Sequence, residues 1–116
     1  MWLMTQHGFY SIVQKGDGSY HIRARVRKDL ENVLEMMGWE YKIEVWPNAD
    51  YRYRIIVKHV QVVALTKAIA EQIDYDNFKS RIHELRDQKE KSAAYGKVWG
   101  VMAGLQSRGQ SDKVSE

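Results

Sequence analysis

Along residues 8–74 the apolar positions keep two periods, alternating every second residue in four short runs and recurring at three- and four-residue spacing in two longer ones. GFYSIVQ at 8–14 and YHIRARV at 20–26 flank KGDGS, a turn rich in Gly and Asp, and together predict a β-hairpin. KDLENVLEMMG follows. Leu30, Val33, Leu34 and Met37 fall at i, i+3, i+4 and i+7, so one helical face is apolar, and Gly38 stands where a helix C-terminal glycine belongs.

The same order then recurs. YKIEVW at 41–46 alternates, PNAD supplies turn chemistry and YRYRIIV at 51–57 alternates again. HVQVVALTKAIAEQI carries Val62, Leu65, Ile69 and Ile73 along one helical face. Aligning VRKDL with VKHVQ gives an offset of about 31 residues between the halves, a repeat of topology with little identity. Two β-β-α units of this kind predict a four-stranded antiparallel sheet with both helices on one face. The expected fold class is therefore α+β, a ββαββα two-layer sandwich over residues 1–74, ferredoxin-like in general character.

From Asp74 onward the pattern is helical. Phe78, Ile82 and Leu85 form one stripe and Tyr95, Val98, Met102 and Leu105 another, separated by the charged RDQKEK, which fits two helices or one kinked helix. A single domain is expected over 1–106, with a C-terminal helical extension at 75–106 and a flexible, polar tail at 107–116. Asp74 and Asp76 in IDYDNFK resemble a D-x-D pair, but an Asp just ahead of a helix reads first as its N-cap.

Alternation divides each strand between two faces. Phe9, Ser11 and Val13, Ile22, Ala24 and Val26, Tyr41, Ile43 and Val45, and Tyr53, Ile55 and Val57 are expected to meet the helices. That leaves Tyr10, Ile12 and Gln14, His21, Arg23 and Arg25, Lys42, Glu44 and Trp46, and Arg52, Arg54 and Ile56 for the other face. A sheet face with basic and aromatic groups suits single-stranded nucleic acid, with Tyr10 and Trp46 stacking bases and Arg23, Arg25, Lys42, Arg52 and Arg54 on phosphates. A simply solvated face is the competing reading, because no RNP-type aromatic motif is present. A third reading covers the face with protein, in which case Glu84, Asp87 and Glu90 are the carboxylates that could neutralise it.

YGKVWGVMAGLQ sets Gly96, Gly100 and Gly104 four residues apart, in line on a helix. Each interior Gly costs about 1 kcal/mol of helix stability relative to Ala, so a close helix crossing is expected to offset it. Tyr95, Gly96, Trp99, Gly100 and Gly104 thus mark a candidate partner interface, either across a homodimer or within the chain.

Composition narrows the chemistry. A net charge of +3 permits anionic partners without requiring them, and the absence of cysteine removes disulfide and thiolate chemistry. No apolar run approaches the roughly 20 residues of a membrane span and no signal peptide is evident, so a cytoplasmic protein without membrane association is expected. His7, His21, His59 and His83 are scattered, with neither helical i, i+4 spacing nor Cys companions, so neither metal nor cofactor is expected. No phosphate loop, nucleophile elbow or H-E-x-x-H occurs, and an enzyme would have to assemble its groups from distant positions, with Tyr10, His21 and Asp76 the ones to examine.

MWLMTQHGFYSIVQ, RARVRKDL, DYRYRI, DYDNFK and AYGKVWGVM, in that order, resemble a family of small bacterial proteins of uncharacterised activity through about Leu105. The resemblance implies a shared fold and carries over no activity. The reading as a whole is a small non-enzymatic binding protein, nucleic-acid binding through the arginine face. The alternative is a protein-binding or self-associating module, such as a mobile-element inhibitor of a host factor, acting through the glycine-striped helix.

Overall fold

The computed structural model describes residues 1–85 and 89–114, with 107–114 described by backbone alone. The chain divides into two compact units, Met1–Asp74 and Tyr75–Glu116. The first is α+β, with strands β1 (Trp2–Met4), β2 (Phe9–Gln14), β3 (Tyr20–Ala24), β4 (Glu44–Val45) and β5 (Tyr53–Val57) and helices α1 (Arg27–Met37) and α2 (His59–Glu71). The second holds α3 (Phe78–Glu84) and α4 (Lys89–Val114).

All strand pairs are antiparallel, in the order β1-β2-β3-β5-β4. The sheet therefore has five strands where alternation predicts four. WLM is too short to show a period, and it becomes a strand by pairing with β2 rather than by its own propensity. The element order β-β-β-α-β-β-α also departs from the β-α-β-β-α-β order of ferredoxin-like folds.

Local chemistry explains the elements. The β2–β3 turn closes with Lys15 and Gly18 bonded through the backbone, Gly18 at φ 88° and Ser19 donating twice to the Asp17 carboxylate. Helix α1 ends at Gly38, left-handed at φ 67°, with the amides of Gly38 and Trp39 turned back onto the last carbonyls. Ahead of α2 the Lys58 amide donates to Gln61 Oε1. Helix α3 is capped by Asn77, whose side chain accepts from Ser80 N at 2.9 Å, so the cap lies one residue beyond the expected Asp76.

Both α1 and α2 pack on one sheet face. The core joins Leu30 and Val33 of α1 and Val62 and Leu65 of α2 to Tyr10, Ile12, Ile22, Ala24, Ile55 and Val57 of the sheet. Each fully buried aliphatic side chain contributes about 1.5–3 kcal/mol. Strands β3 and β5 face as alternation predicts, but β2 is inverted, with Tyr10 and Ile12 inside and Phe9, Ser11 and Val13 on the opposite face. The register Ile12↔Ile22 and Ser11↔Arg23 puts two large side chains into the core and keeps a hydroxyl out of it. Tyr10 remains satisfied there because its hydroxyl donates to the Asp29 carbonyl at 2.9 Å.

In the second unit, Ile82 and Tyr95 are buried, and Tyr95 stacks on Phe78 with ring centroids 5.7 Å apart. The backbone of α4 continues to Val114, through the stretch that composition assigns to a frayed tail. Residues 86–88, within the charged interruption, lie outside the described residues, and Asp87 with them. No helix among the described residues is long and apolar enough to cross a membrane.

Candidate anion-binding face of the sheet

Antiparallel pairing lines up one row of side chains across all five strands on the face turned away from α1 and α2. The row runs Trp2, Ser11, Arg23, Arg54, Glu44, each the Cα partner of the next. Arg23 confirms the shared face by donating to Ser11 Oγ at 2.6 Å. Next along the strands come Val13, His21 and Ile56.

Arg54 is the most deeply held cation among the described residues, only 3% exposed. Its guanidinium donates to the Tyr51 carbonyl at 3.1 Å and meets His21 Nδ1 at 3.1 Å, while its carbon lies 3.8 Å from the centre of the Trp46 ring. Against a cation, His21 Nδ1 must be the bare acceptor nitrogen, so this contact selects the neutral imidazole with its proton on Nε2. Burial, and then the Arg54 charge, holds the His21 pKa below the ordinary histidine value. Burial, and then Arg23, likewise lowers the pKa of Arg54.

Two other arginines stack on Tyr51. Arg23 and Arg25 lie over its ring at 4.6 and 4.3 Å, and Arg25 also pairs with Asp50 at 3.3 Å. No carboxylate among the described residues comes within 4 Å of Arg23 or Arg54. The Nε atoms of both arginines and the Tyr51 hydroxyl are buried without a hydrogen-bond partner among the described residues. Glu44 turns instead to Trp46, accepting from its indole N–H at 3.3 Å. The face thus concentrates positive charge that the first unit neutralises only in part.

The residues expected in this site divide clearly. Arg23 and Arg54 stand side by side, and Arg25, Lys42, Arg52 and Trp46 are exposed around them or at the adjoining strand ends. Tyr10 lies in the core on the opposite side of the sheet, which removes it from any base-stacking role. Tyr51, Ser11 and Trp2 were not among the expected residues. Ser11 and Trp2 were hidden by the inverted phase of β2 and by the shortness of β1.

The partner-interface residues lie on α4. Gly96, Gly100 and Gly104 would each direct a Cβ into open space. Val98, Trp99, Val101, Met102 and Leu105 are exposed, with Lys79 Nζ 4.3 Å above the Trp99 ring. At 100° per residue, Val98, Val101, Met102 and Leu105 form one stripe and the glycines lie on the opposite side of the helix. Tyr95 is taken up by Phe78 and is closed to a partner.

No group of His, Asp and Glu among the described residues is arranged to hold a metal ion. Tyr10 and His21 lie on opposite sides of the sheet, so no pocket joins these two candidate catalytic groups. No protein-family model matches the chain, and neither does any curated protein or solved structure compared with it.

Proposed function

We infer that the first unit binds nucleic acid through the arginine-bearing face of its sheet. The observation that carries this reading is the Arg23–Arg54 pair, two cations on adjacent strands with no carboxylate within salt-bridge distance among the described residues. Like charges directly opposite each other in a sheet are destabilising, and Glu44, the Cα partner of Arg54 on its other side, offsets only part of that charge from beyond salt-bridge distance. A phosphodiester backbone supplies the missing negative charge, and exposed Arg25, Arg52 and Lys42 extend the basic surface along it. The activity is binding, with no chemistry performed on the ligand.

Fluorescence anisotropy with labelled oligonucleotides tests it. The wild-type chain binds in the micromolar range or tighter at low salt, and replacing Arg23, Arg25, Arg52 and Arg54 by Gln abolishes binding while circular dichroism stays unchanged. Equal binding by the two proteins would sink the reading.

A second reading concerns α4 and rests on its own observation. Val98, Val101, Met102 and Leu105 are exposed at i, i+3, i+4 and i+7, the spacing by which two helices pack along a seam. Self-association of two copies of the chain through this stripe would set two basic faces on one assembly.

A further inference from the structure

We propose that Trp2, supported by Phe9, is a base-stacking position at the edge of this face, which makes the ligand single-stranded nucleic acid. The inference deepens the nucleic-acid reading and rests on it. Of the aromatic rings nearest the arginines, Tyr51 is already engaged, only 3% exposed beneath Arg23 and Arg25, while Trp46 rests one face on the buried Arg54 and is itself 40% exposed. A base could reach Tyr51 only by displacing a guanidinium. Trp2 differs. It is 73% exposed, and it shares the arginine face because it pairs with Ser11, whose hydroxyl bonds to Arg23.

Phe9 alternates with Ser11 and so lies on the same face, meeting Trp2 edge-on at 6.0 Å with an interplanar angle of 62°. That contact steadies the indole and does not cover it as a parallel stack would. Two strand spacings separate the backbones of Trp2 and Arg23, about 10 Å, so one strand can rest a base on Trp2 and run its phosphates over Arg23 and its neighbours. Duplex bases hide their faces in the stack, whereas single strands offer them, and stacking on an aromatic side chain tolerates any sequence. Charge complementarity selects nucleic acid as the occupant, and Trp2 selects the unpaired form.

The test is anisotropy with labelled oligo(dT), oligo(U) and a duplex of equal length, using wild type, Trp2→Ala, Trp2→Phe and Arg23→Gln. Trp2 is exposed on an edge strand, and unchanged thermal melts establish that each variant folds. The expected result is tighter binding of single strands than of duplex, a loss of about tenfold in Trp2→Ala, and near-complete retention in Trp2→Phe. The dependence on salt should be unaltered in Trp2→Ala and shallower in Arg23→Gln. Full affinity in Trp2→Ala alongside weakened Arg23→Gln, or duplex bound as tightly as single strands, would overturn the stacking position and leave the arginine face standing. No binding of any oligonucleotide by the wild-type chain, with or without binding of an acidic polypeptide, would overturn the underlying reading and this inference with it.

Discussion

Arg23 and Arg54 are Cα partners on neighbouring antiparallel strands, and burial first, with the Arg23 charge second, lowers the pKa of Arg54 against the opposing pull of Glu44. A sheet selected for stability alone would put a carboxylate at one of these positions. Their coexistence predicts opposed effects on stability and binding. Arg23→Gln keeps a donor for Ser11 and removes the repulsion, so it should stabilise the fold by about 0.5 kcal/mol, read as a higher urea midpoint. The same change should weaken oligonucleotide binding and reduce the salt slope by roughly 1. A lower urea midpoint would show that Arg23 contributes net stability.

His21 makes the unit sensitive to acid. Its native pKa is depressed, so below about pH 6.5 the unfolded chain binds protons that the folded one does not, and stability must fall with pH across that window. His7, also lowered by burial, adds to the loss in the same direction. Protonation of His21 would place a second positive charge against Arg54 and forfeit their hydrogen bond. His21→Gln, which can still accept from Arg54, should flatten the fall in melting temperature between pH 7 and 5, with the remainder assigned to His7.

Gly8 and Asp29 lock β2 to α1. The Asp29 carboxylate accepts from the Phe9 amide at 3.1 Å, and a Cβ on Gly8 would come within 2.5 Å of Asp29 Cγ. Asp29 is buried in the first turn of α1 and cannot swing into solvent without surrendering that bond. Gly8→Ala should therefore destabilise the first unit by about 1–3 kcal/mol, measured by chemical denaturation.

On α4 the two sides of the helix make separable predictions. Gly100→Ala places its methyl in open space and should raise helix stability by up to about 1 kcal/mol without changing the sedimentation coefficient. Met102→Lys with Leu105→Lys should convert a self-associated species to monomer at the same protein concentration. If Gly100→Ala were the variant that dissociated the assembly, the contact would run along the glycines instead.

The fold and the candidate site were legible to different degrees. Helices α1 and α2 were readable because their apolar spacing is local and Gly38 marks an end. Strands β3 and β5 were readable because Ile22 and Ala24, and Ile55 and Val57, can face only one way. In β2 both phases of FYSIVQ are largely apolar, and the choice fell to the register with β3, a non-local property. That one inversion moved Tyr10 from the arginine face to the core and brought Phe9, Ser11 and Val13 the other way. Arg23 and Arg54 lie on the face opposite the helices, as alternation predicts, while Arg25 and Arg52 stand beyond the strand ends. The alternation read over 51–57 gives their stacking partner Tyr51 the phase of Tyr53 and Ile55, but the strand begins only at Tyr53, and Tyr51 instead lies under Arg23 and Arg25.

The central claim is that the partly compensated arginines of the sheet face bind phosphates. Its most direct measurement is the salt dependence of oligo(dT) binding, followed from low to physiological ionic strength for the wild-type chain and for the Arg23, Arg25, Arg52 and Arg54 to Gln variant. About three phosphate contacts, at Arg23, Arg25 and Arg52, predict a slope of about −2 in log K against log salt for the wild-type chain. The account further predicts no measurable binding by the variant. A salt-independent affinity, or no wild-type binding at the lowest salt, would contradict it.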